Sequence, residues 1–169
     1  MPVCIMGKNT KNIAFSGILA ALYVALTLIS EAIGLASGMI QLRLSEALTI
    51  MPFFTPAAIP GLTVGCFLAN ILTTGNAFDI VFGTVATALG AIGTFLLSRK
   101  LKKKGAPLCT LPPVITNVII IPPVLKYAYG MPNRILTLML FVGIGELASC
   151  CLLGGILFHA LRKAPLFRN

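Results

Sequence analysis

The apolar stretch IAFSGILAALYVALTLIS, residues 13–30, carries no charged side chain and is long enough to cross a membrane as one helix. Five further apolar runs follow, separated by turn residues, prolines or charges: residues 47–59, 61–74, 80–98, 107–125 and 135–161. This pattern predicts an all-α, polytopic membrane protein with six transmembrane helices in one compact bundle. The second and third runs are short and are split by Pro56 and Pro60, so they form either two short tilted helices or one re-entrant hairpin.

The composition excludes a soluble domain. Hydrophobic residues make up 57% of the 169-residue chain and charged residues only 10%, whereas a soluble domain carries about 25% charged residues. We expect no cleavable signal peptide, because the first apolar run continues past signal-peptide length and lacks a small-residue cleavage site.

The charges predict the orientation of the chain. With six spans, ten basic residues share a side with both termini: Lys8, Lys11, Arg99, Lys100, Lys102, Lys103, Lys104, Arg162, Lys163 and Arg168. Only Arg43, Lys126 and Arg134 fall on the other side, so the positive-inside rule places both termini in the cytoplasm. We expect a short N-terminal tail at residues 1–11, a membrane domain at 12–161 and a basic tail at 162–169. The net charge of +9 thus indicates topology and not nucleic-acid binding.

Catalysis is not indicated. An intramembrane enzyme needs a nucleophile with a base, or a set of metal ligands. The single histidine, His159, lies near a helix end, and the five cysteines form no CxxC pair. We therefore expect no enzyme and no metal site, and interpret the cysteines in the apolar runs as small apolar side chains. A phosphate-binding GxxxxGK loop is also absent, so uphill transport needs an ion gradient or another subunit.

Two polar residues are expected deep in the membrane. Glu146 lies about 18 Å of helix rise beyond Arg134, and a carboxylate at such a depth indicates a functional site. Asn117 lies at a similar depth in the fifth run, between pairs of prolines that distort the helix. The alternatives are, for Glu146, a structural carboxyl that is protonated or bonded to a neighbouring serine or threonine, and, for Asn117, an interhelical hydrogen bond.

Further polar residues lie near the outer ends of the helices. Asn70 and Asp79 flank a short turn, where they either bind a ligand or serve as a helix-end hydrogen bond and a helix N-cap. Arg43 and Glu46 are spaced i, i+3 and pair with each other if they have no other role. Tyr127 lies at a membrane interface, where aromatic side chains are common.

Small residues recur every four positions on the first helix: Gly17, Ala21 and Ala25. Such a stripe lets two helices approach closely in lipid. It indicates either packing within the chain or a docking face for another protein.

Several local motifs resemble the QueT family. They are Gln41-Leu-Arg-Leu-Ser-Glu-Ala-Leu48, Met51-Pro-Phe-Phe54, Asn70 with Gly75, Asp79-Ile-Val-Phe-Gly-Thr84, and Ala86-Thr87. The resemblance covers roughly residues 12–161. It implies a substrate-binding S component of an energy-coupling factor (ECF) transporter in the bacterial cytoplasmic membrane. Such a subunit works with a transmembrane coupling protein and two cytoplasmic ATPases, which use the ATP, and holds no cofactor itself.

The resemblance also implies a ligand and roles for residues. The ligand is a queuosine precursor, a 7-deazaguanine base, and Gly17, Ala21 and Ala25 look like the coupling face. We expect Glu146 to accept the two adjacent N–H donors of the base and Asn117 to donate to its carbonyl. Asn70 and Asp79 then approach from outside, Tyr127 or a phenylalanine covers the ring, and the loop with Arg43 and Glu46 closes over the site. The alternatives are another vitamin-like ligand, or a stand-alone secondary transporter or channel.

Overall fold

The computed structural model describes residues 8–36, 40–101 and 108–163, and no β-strand occurs among them. Four helices are long and apolar enough to cross a membrane: Asn9–Ala32, Ala77–Leu101, Leu108–Tyr127 and Ile135–Arg162. Two shorter apolar helices, Leu44–Phe53 and Ala58–Thr73, lie between the first and second of these. The predicted all-α fold with six helices is confirmed.

The helices begin and end close to the predicted limits. They are α1 (Lys8–Ala32), a 3₁₀ segment (Leu44–Phe53), α2 (Ala58–Thr73), α3 (Ala77–Leu101), α4 (Leu111–Tyr127), α5 (Ile135–Glu146) and α6 (Gly154–Arg162). A π-helical stretch, Leu147–Leu153, joins α5 to α6 into the single last span. Because α1 begins at Lys8, the last residues of the predicted tail 1–11 are helical. Four of the ten basic residues used for the orientation, Lys102, Lys103, Lys104 and Arg168, lie outside the described residues.

Contacts at the two ends of the bundle show that the first helices alternate in direction. At one end, the Ser16 hydroxyl near the start of α1 donates to the Ala57 carbonyl, which precedes α2, at 2.6 Å. At the other end, the Leu44 backbone N–H donates to Ser30 Oγ at 2.9 Å. The 3₁₀ segment therefore returns from the far end of α1 to the level where α2 begins.

The 3₁₀ segment lies at the centre of the molecule. It contacts α1, α2, α3, α6 and the π-helical stretch, and its buried residues are Ser45, Glu46, Leu48, Thr49, Ile50, Met51 and Pro52. Ten residues of 3₁₀ helix rise about 20 Å, which is less than the hydrocarbon thickness of about 30 Å. The segment is therefore enclosed by protein, while the long helices carry exposed apolar side chains outward, among them Ile18, Leu96, Leu136 and Leu152.

The boundary between the second and third helices differs from the prediction. The sequence places it at Pro60, but the structure places it at Thr55–Ala57, and α2 continues through Pro60. Pro60 is the third residue of α2, where the backbone N–H has no partner within the helix, so the ring of proline is tolerated.

Glycines allow two close backbone contacts. A Cβ on Gly65 of α2 would lie 2.8 Å from the Tyr23 Cβ of α1. A Cβ on Gly145 of α5 would overlap the Gln41 carbonyl oxygen just before the 3₁₀ segment. The second contact fixes the loop that carries Arg43 against the last span.

Gly145→Ala should therefore destabilise the protein, because the added methyl group forces the Gln41 backbone away from α5. We expect a loss of about 1 to 3 kcal/mol, the usual cost of overpacking, seen as a lower thermal unfolding temperature in detergent. Gly155→Ala is the matched control, since a Cβ there meets nothing within 4 Å. Equal unfolding temperatures for the two variants would contradict the contact.

Candidate functional site

A cavity lies where the start of the 3₁₀ segment meets α3, α4 and α5. Its empty space is about 390 Å³, part of it open to solvent. The lining residues are Gln41, Arg43, Glu46, Gly83, Thr87, Asn117, Ile121, Val142 and Glu146. Four of the residues predicted to bind ligand therefore come together here: Arg43, Glu46, Asn117 and Glu146.

Glu146 closes the inner wall of the cavity at the junction of α5 with the π-helical stretch. The Cys150 thiol lies 3.3 Å from its Oε2 atom, and the Asn117 side chain of α4 approaches the same carboxylate. π-Helical turns are rare and are frequently found at functional sites. Cys150 lies within this stretch, four residues after Glu146.

Glu46 stands beside Glu146, on the first turn of the 3₁₀ segment. Its side chain is buried, and the Tyr23 hydroxyl of α1 donates to its Oε1 atom. Its Oε2 atom is also buried and has no hydrogen-bond partner among the described residues. The cavity therefore contains a carboxylate oxygen that the described protein leaves without a hydrogen bond.

Arg43 forms the outer wall. Its guanidinium lies 3.9 Å from Asp79 Oδ2 and donates to Asn70 Oδ1 at 3.5 Å. Asn70 in turn donates to the Asp79 carbonyl at 3.1 Å. Asn70 and Asp79 do not line the cavity; they hold Arg43 in place from the α2–α3 turn.

Two of the alternatives weighed for these residues are not seen. The Arg43 guanidinium pairs with Asp79, and no ion pair between Arg43 and Glu46 occurs among the described residues. Asp79 lies in the first turn of α3, and the residue before the helix, Asn76, accepts the Phe78 backbone N–H instead.

Tyr127 does not lie where the ring-covering role requires. Its side chain is 74% exposed, and it is not among the cavity-lining residues. Its neighbour Tyr129, on the loop after α4, donates to Asp79 Oδ2 at 3.4 Å. Burial and the Asp79 carboxylate raise the pKa of the Tyr129 phenol.

One group of side chains could supply metal ligands. Each of three residues offers one possible ligand atom, and these atoms lie within 4.8 Å of one another: Glu46, Glu146 and Cys150. The sequence interpretation of Cys150 as an apolar filler misses this contact, because nothing in the chain order links it to Glu46.

Sequence reasoning also misses Tyr23, Gln41 and Thr87. Gln41 and Thr87 belong to the motifs that carry the family resemblance, and both line the cavity. Tyr23 lies within an apolar helix with no local signal, and only the fold brings its hydroxyl to Glu46.

The stripe of small residues on α1 faces away from the bundle. Gly17, Ala21 and Ala25 are exposed, and a Cβ on Gly17 would meet nothing within 4 Å. The buried face of α1 is formed instead by Leu19, Ala20 and Tyr23, among others. Packing of the stripe against another described helix of this chain is therefore not seen.

Comparison with known proteins points to one family. The sequence model described as "QueT transporter" matches residues 13–163. A relative from Lactococcus lactis subsp. cremoris (strain MG1363), named "Queuosine precursor transporter QueT", is 34% identical over 93 residues, which cover 54% of each chain. The match thus spans about half the length of that relative. No solved structure matches.

The bond between Tyr23 and Glu46 should contribute to stability. In Tyr23→Phe, the buried Glu46 carboxylate loses its tyrosine donor, and an unsatisfied buried polar group costs about 1 to 3 kcal/mol. We expect a lower thermal unfolding temperature in detergent. Tyr127→Phe, at an exposed tyrosine, is the control and should leave the unfolding temperature unchanged. A similar small change of unfolding temperature in both variants would show that the bond does not stabilise the fold.

Proposed function

The chain belongs to the QueT transporter family, and we propose that it is the substrate-capture S component of an ECF-type importer for a queuosine precursor. One observation carries this proposal most strongly: a cavity between the 3₁₀ segment and the long helices contains Glu146 and Asn117 side by side. These two side chains offer the hydrogen-bonding pattern that a 7-deazaguanine base needs.

The chemistry of the base supports this assignment. Its edge presents a ring N–H and an exocyclic NH₂ beside a carbonyl oxygen. A carboxylate accepts from both donors, and an amide donates to the carbonyl, so Glu146 and Asn117 together match the edge. Adenine presents the opposite pattern and would leave buried groups unpaired, at about 1 to 3 kcal/mol for each group.

The outer wall supports entry of the ligand from outside the cell. Arg43 lies just after the loop that joins α1 to the 3₁₀ segment, and Asn70 and Asp79 hold it by side-chain contacts. In our proposal this loop opens to admit the base and closes to exclude water. Gln41, at the base of the loop, touches both the cavity and α5.

Energy for uptake would come from partner proteins. The chain contains no phosphate-binding GxxxxGK loop, so ATP would be used by two cytoplasmic ATPases joined to a transmembrane coupling protein. We propose that this assembly docks on the exposed stripe Gly17, Ala21 and Ala25. The basic residues that follow α3 and α6 support a cytoplasmic location for both termini in the bacterial plasma membrane.

A stand-alone secondary transporter is the second candidate. The close pair of buried carboxylates, Glu46 and Glu146, favours it, since intramembrane carboxylates often carry protons in such proteins. The purified chain in liposomes would then accumulate substrate under a proton gradient without any partner. Our proposal expects binding and no accumulation in that assay.

Enlarging the stripe on α1 should block assembly. The double variant Ala21→Leu, Ala25→Leu would hold a partner helix away from α1, so we expect loss of co-purification with a co-expressed coupling protein and its ATPases. Ala77→Leu, at another exposed alanine, is the control. The isolated double variant should still bind the ligand. If the double variant still co-purifies with the coupling protein and its ATPases, docking through this stripe is contradicted.

Substitutions in the cavity should weaken binding of 7-deazaguanine bases. Glu146→Gln removes a charge-assisted hydrogen bond, and we expect affinity to fall about 10-fold or more in calorimetry on the purified chain. Asn117→Ala should also weaken binding, whereas Glu31→Gln, at the end of α1 away from the cavity, should not. Unchanged affinity in both cavity variants would rule out this pocket.

A further inference from the structure

A ladder of three hydrogen-bonded pairs joins the inner face of α1 to the start of the 3₁₀ segment. Its members on α1 are spaced by four and three positions, so their side chains share one face of the helix. Its members on the segment are three consecutive residues. The pairs are the Tyr23 hydroxyl donating to Glu46 Oε1, the Thr27 and Ser45 hydroxyls at 2.8 Å, and the Leu44 backbone N–H donating to Ser30 Oγ at 2.9 Å.

The side chains of the ladder are buried, which makes its geometry hard to change. Every residue that contributes a side chain to it is at most 2% exposed: Tyr23, Thr27, Ser30, Ser45 and Glu46. Away from water, a broken hydrogen bond leaves its polar groups without a partner, at a cost in free energy. A displacement of α1 against the segment therefore either moves the first turn of the segment with it or leaves buried polar groups unpaired.

The segment side of the ladder reaches the candidate ligand cavity. Glu46 is the partner of Tyr23 and also lines the cavity. Arg43, which directly precedes the ladder residue Leu44, lines the cavity as well. The position of α1 therefore determines where two side chains of the cavity wall lie.

The opposite face of α1 carries the exposed stripe of small residues. Ala21 and Ala25 each lie two positions from Tyr23, which is about 200° around a helix with 3.6 residues per turn. Both alanines are exposed, whereas Tyr23 and Thr27 are buried. One helix thus carries the proposed docking surface on its outer face and the ladder on its inner face, so a partner that displaces α1 acts directly on the ladder.

We propose that the ladder couples docking of the partner to ligand binding, with Thr27 and Ser30 as positioning residues. This inference rests on the proposed function, since it takes the stripe as the docking face and the cavity as the ligand site. An importer subunit has to hold its ligand when free and give it up in the complex, so docking weakens ligand binding. Coupling between two binding sites is reciprocal, so the ligand weakens docking by the same factor.

A polar contact elsewhere on α1 supplies a matched control. The Ser16 hydroxyl donates to the Ala57 carbonyl at 2.6 Å, at the other end of the helix. Neither residue lines the cavity or belongs to the ladder. Ser16→Ala therefore removes a hydrogen bond between α1 and the bundle and leaves the link from α1 to the cavity wall intact.

Calorimetry with 7-deazaguanine tests the coupling on two samples, the purified chain and its complex with the coupling protein and ATPases. We expect the wild-type complex to bind about 10-fold more weakly than the free chain. In the double variant Thr27→Val, Ser30→Ala this ratio should fall below about threefold, because α1 then moves without the segment. Thr27→Ser, which keeps a hydroxyl, and Ser16→Ala should retain the wild-type ratio.

The outcomes distinguish this inference from the proposed function. If the wild-type complex binds as tightly as the free chain or more tightly, or if the double variant keeps the wild-type ratio, the coupling role of the ladder is overturned and the site and docking face still stand. If the wild-type chain fails to bind 7-deazaguanine or to co-purify with its partners, the proposed function fails and the inference fails with it.

A ladder that only stabilises the fold gives a different result. The double variant would then have a lower unfolding temperature in detergent and an unchanged ratio of affinities. If the double variant does not fold, Thr27→Val and Thr27→Ser decide the question by the same two measurements. A reduced ratio in the first and a wild-type ratio in the second support the coupling, and equal ratios in both overturn it.

Discussion

The fold depends on enclosing a short, polar segment inside a membrane bundle. In lipid, every backbone N–H and carbonyl must find a partner within the protein, and the 3₁₀ segment Leu44–Phe53 is too short to span the bilayer. The chain meets this constraint by surrounding the segment with α1, α2, α3, α6 and the π-helical stretch. These elements pack against the segment, and the long helices expose apolar side chains outward. Without this segment, the surrounding helices would lose the surface against which they pack.

The candidate site is a consequence of the same arrangement. Because the 3₁₀ segment is buried, its first turn carries Glu46 into the interior, where Tyr23 donates to it and Glu146 approaches from the last span. The residue just before the segment, Arg43, stays at the outer end, where Asp79 offsets its charge. One short element thus brings a carboxylate inward and holds a cation at the entrance. In our proposal, this division of charge allows the cavity to accept a polar base.

Much of the fold could be predicted from the sequence, because apolar length and charge clusters report directly on membrane spans. The boundary near Pro60 could not, since proline is tolerated in a first helical turn as well as between helices. For the site, Glu146 and Asn117 could be found because polar residues deep in a span are rare. Tyr23 could not be found, because its partner Glu46 is 23 residues away in the chain. The spacing of Cys150 from Glu146 is that of neighbours on a helix, but the contact of Cys150 with Glu46, 104 residues away, could not be predicted. The ring-covering role expected of Tyr127 depends on the direction of its side chain, which the sequence does not give; the side chain is exposed and lies outside the cavity lining.

The central claim is that the cavity beside the 3₁₀ segment holds the ligand. An experimental structure of the purified chain with a bound 7-deazaguanine base tests it most directly. The account predicts density for the base in the cavity, between Glu146 and Asn117. Density at the outer turn beside Asp79, with the cavity unchanged, would contradict it.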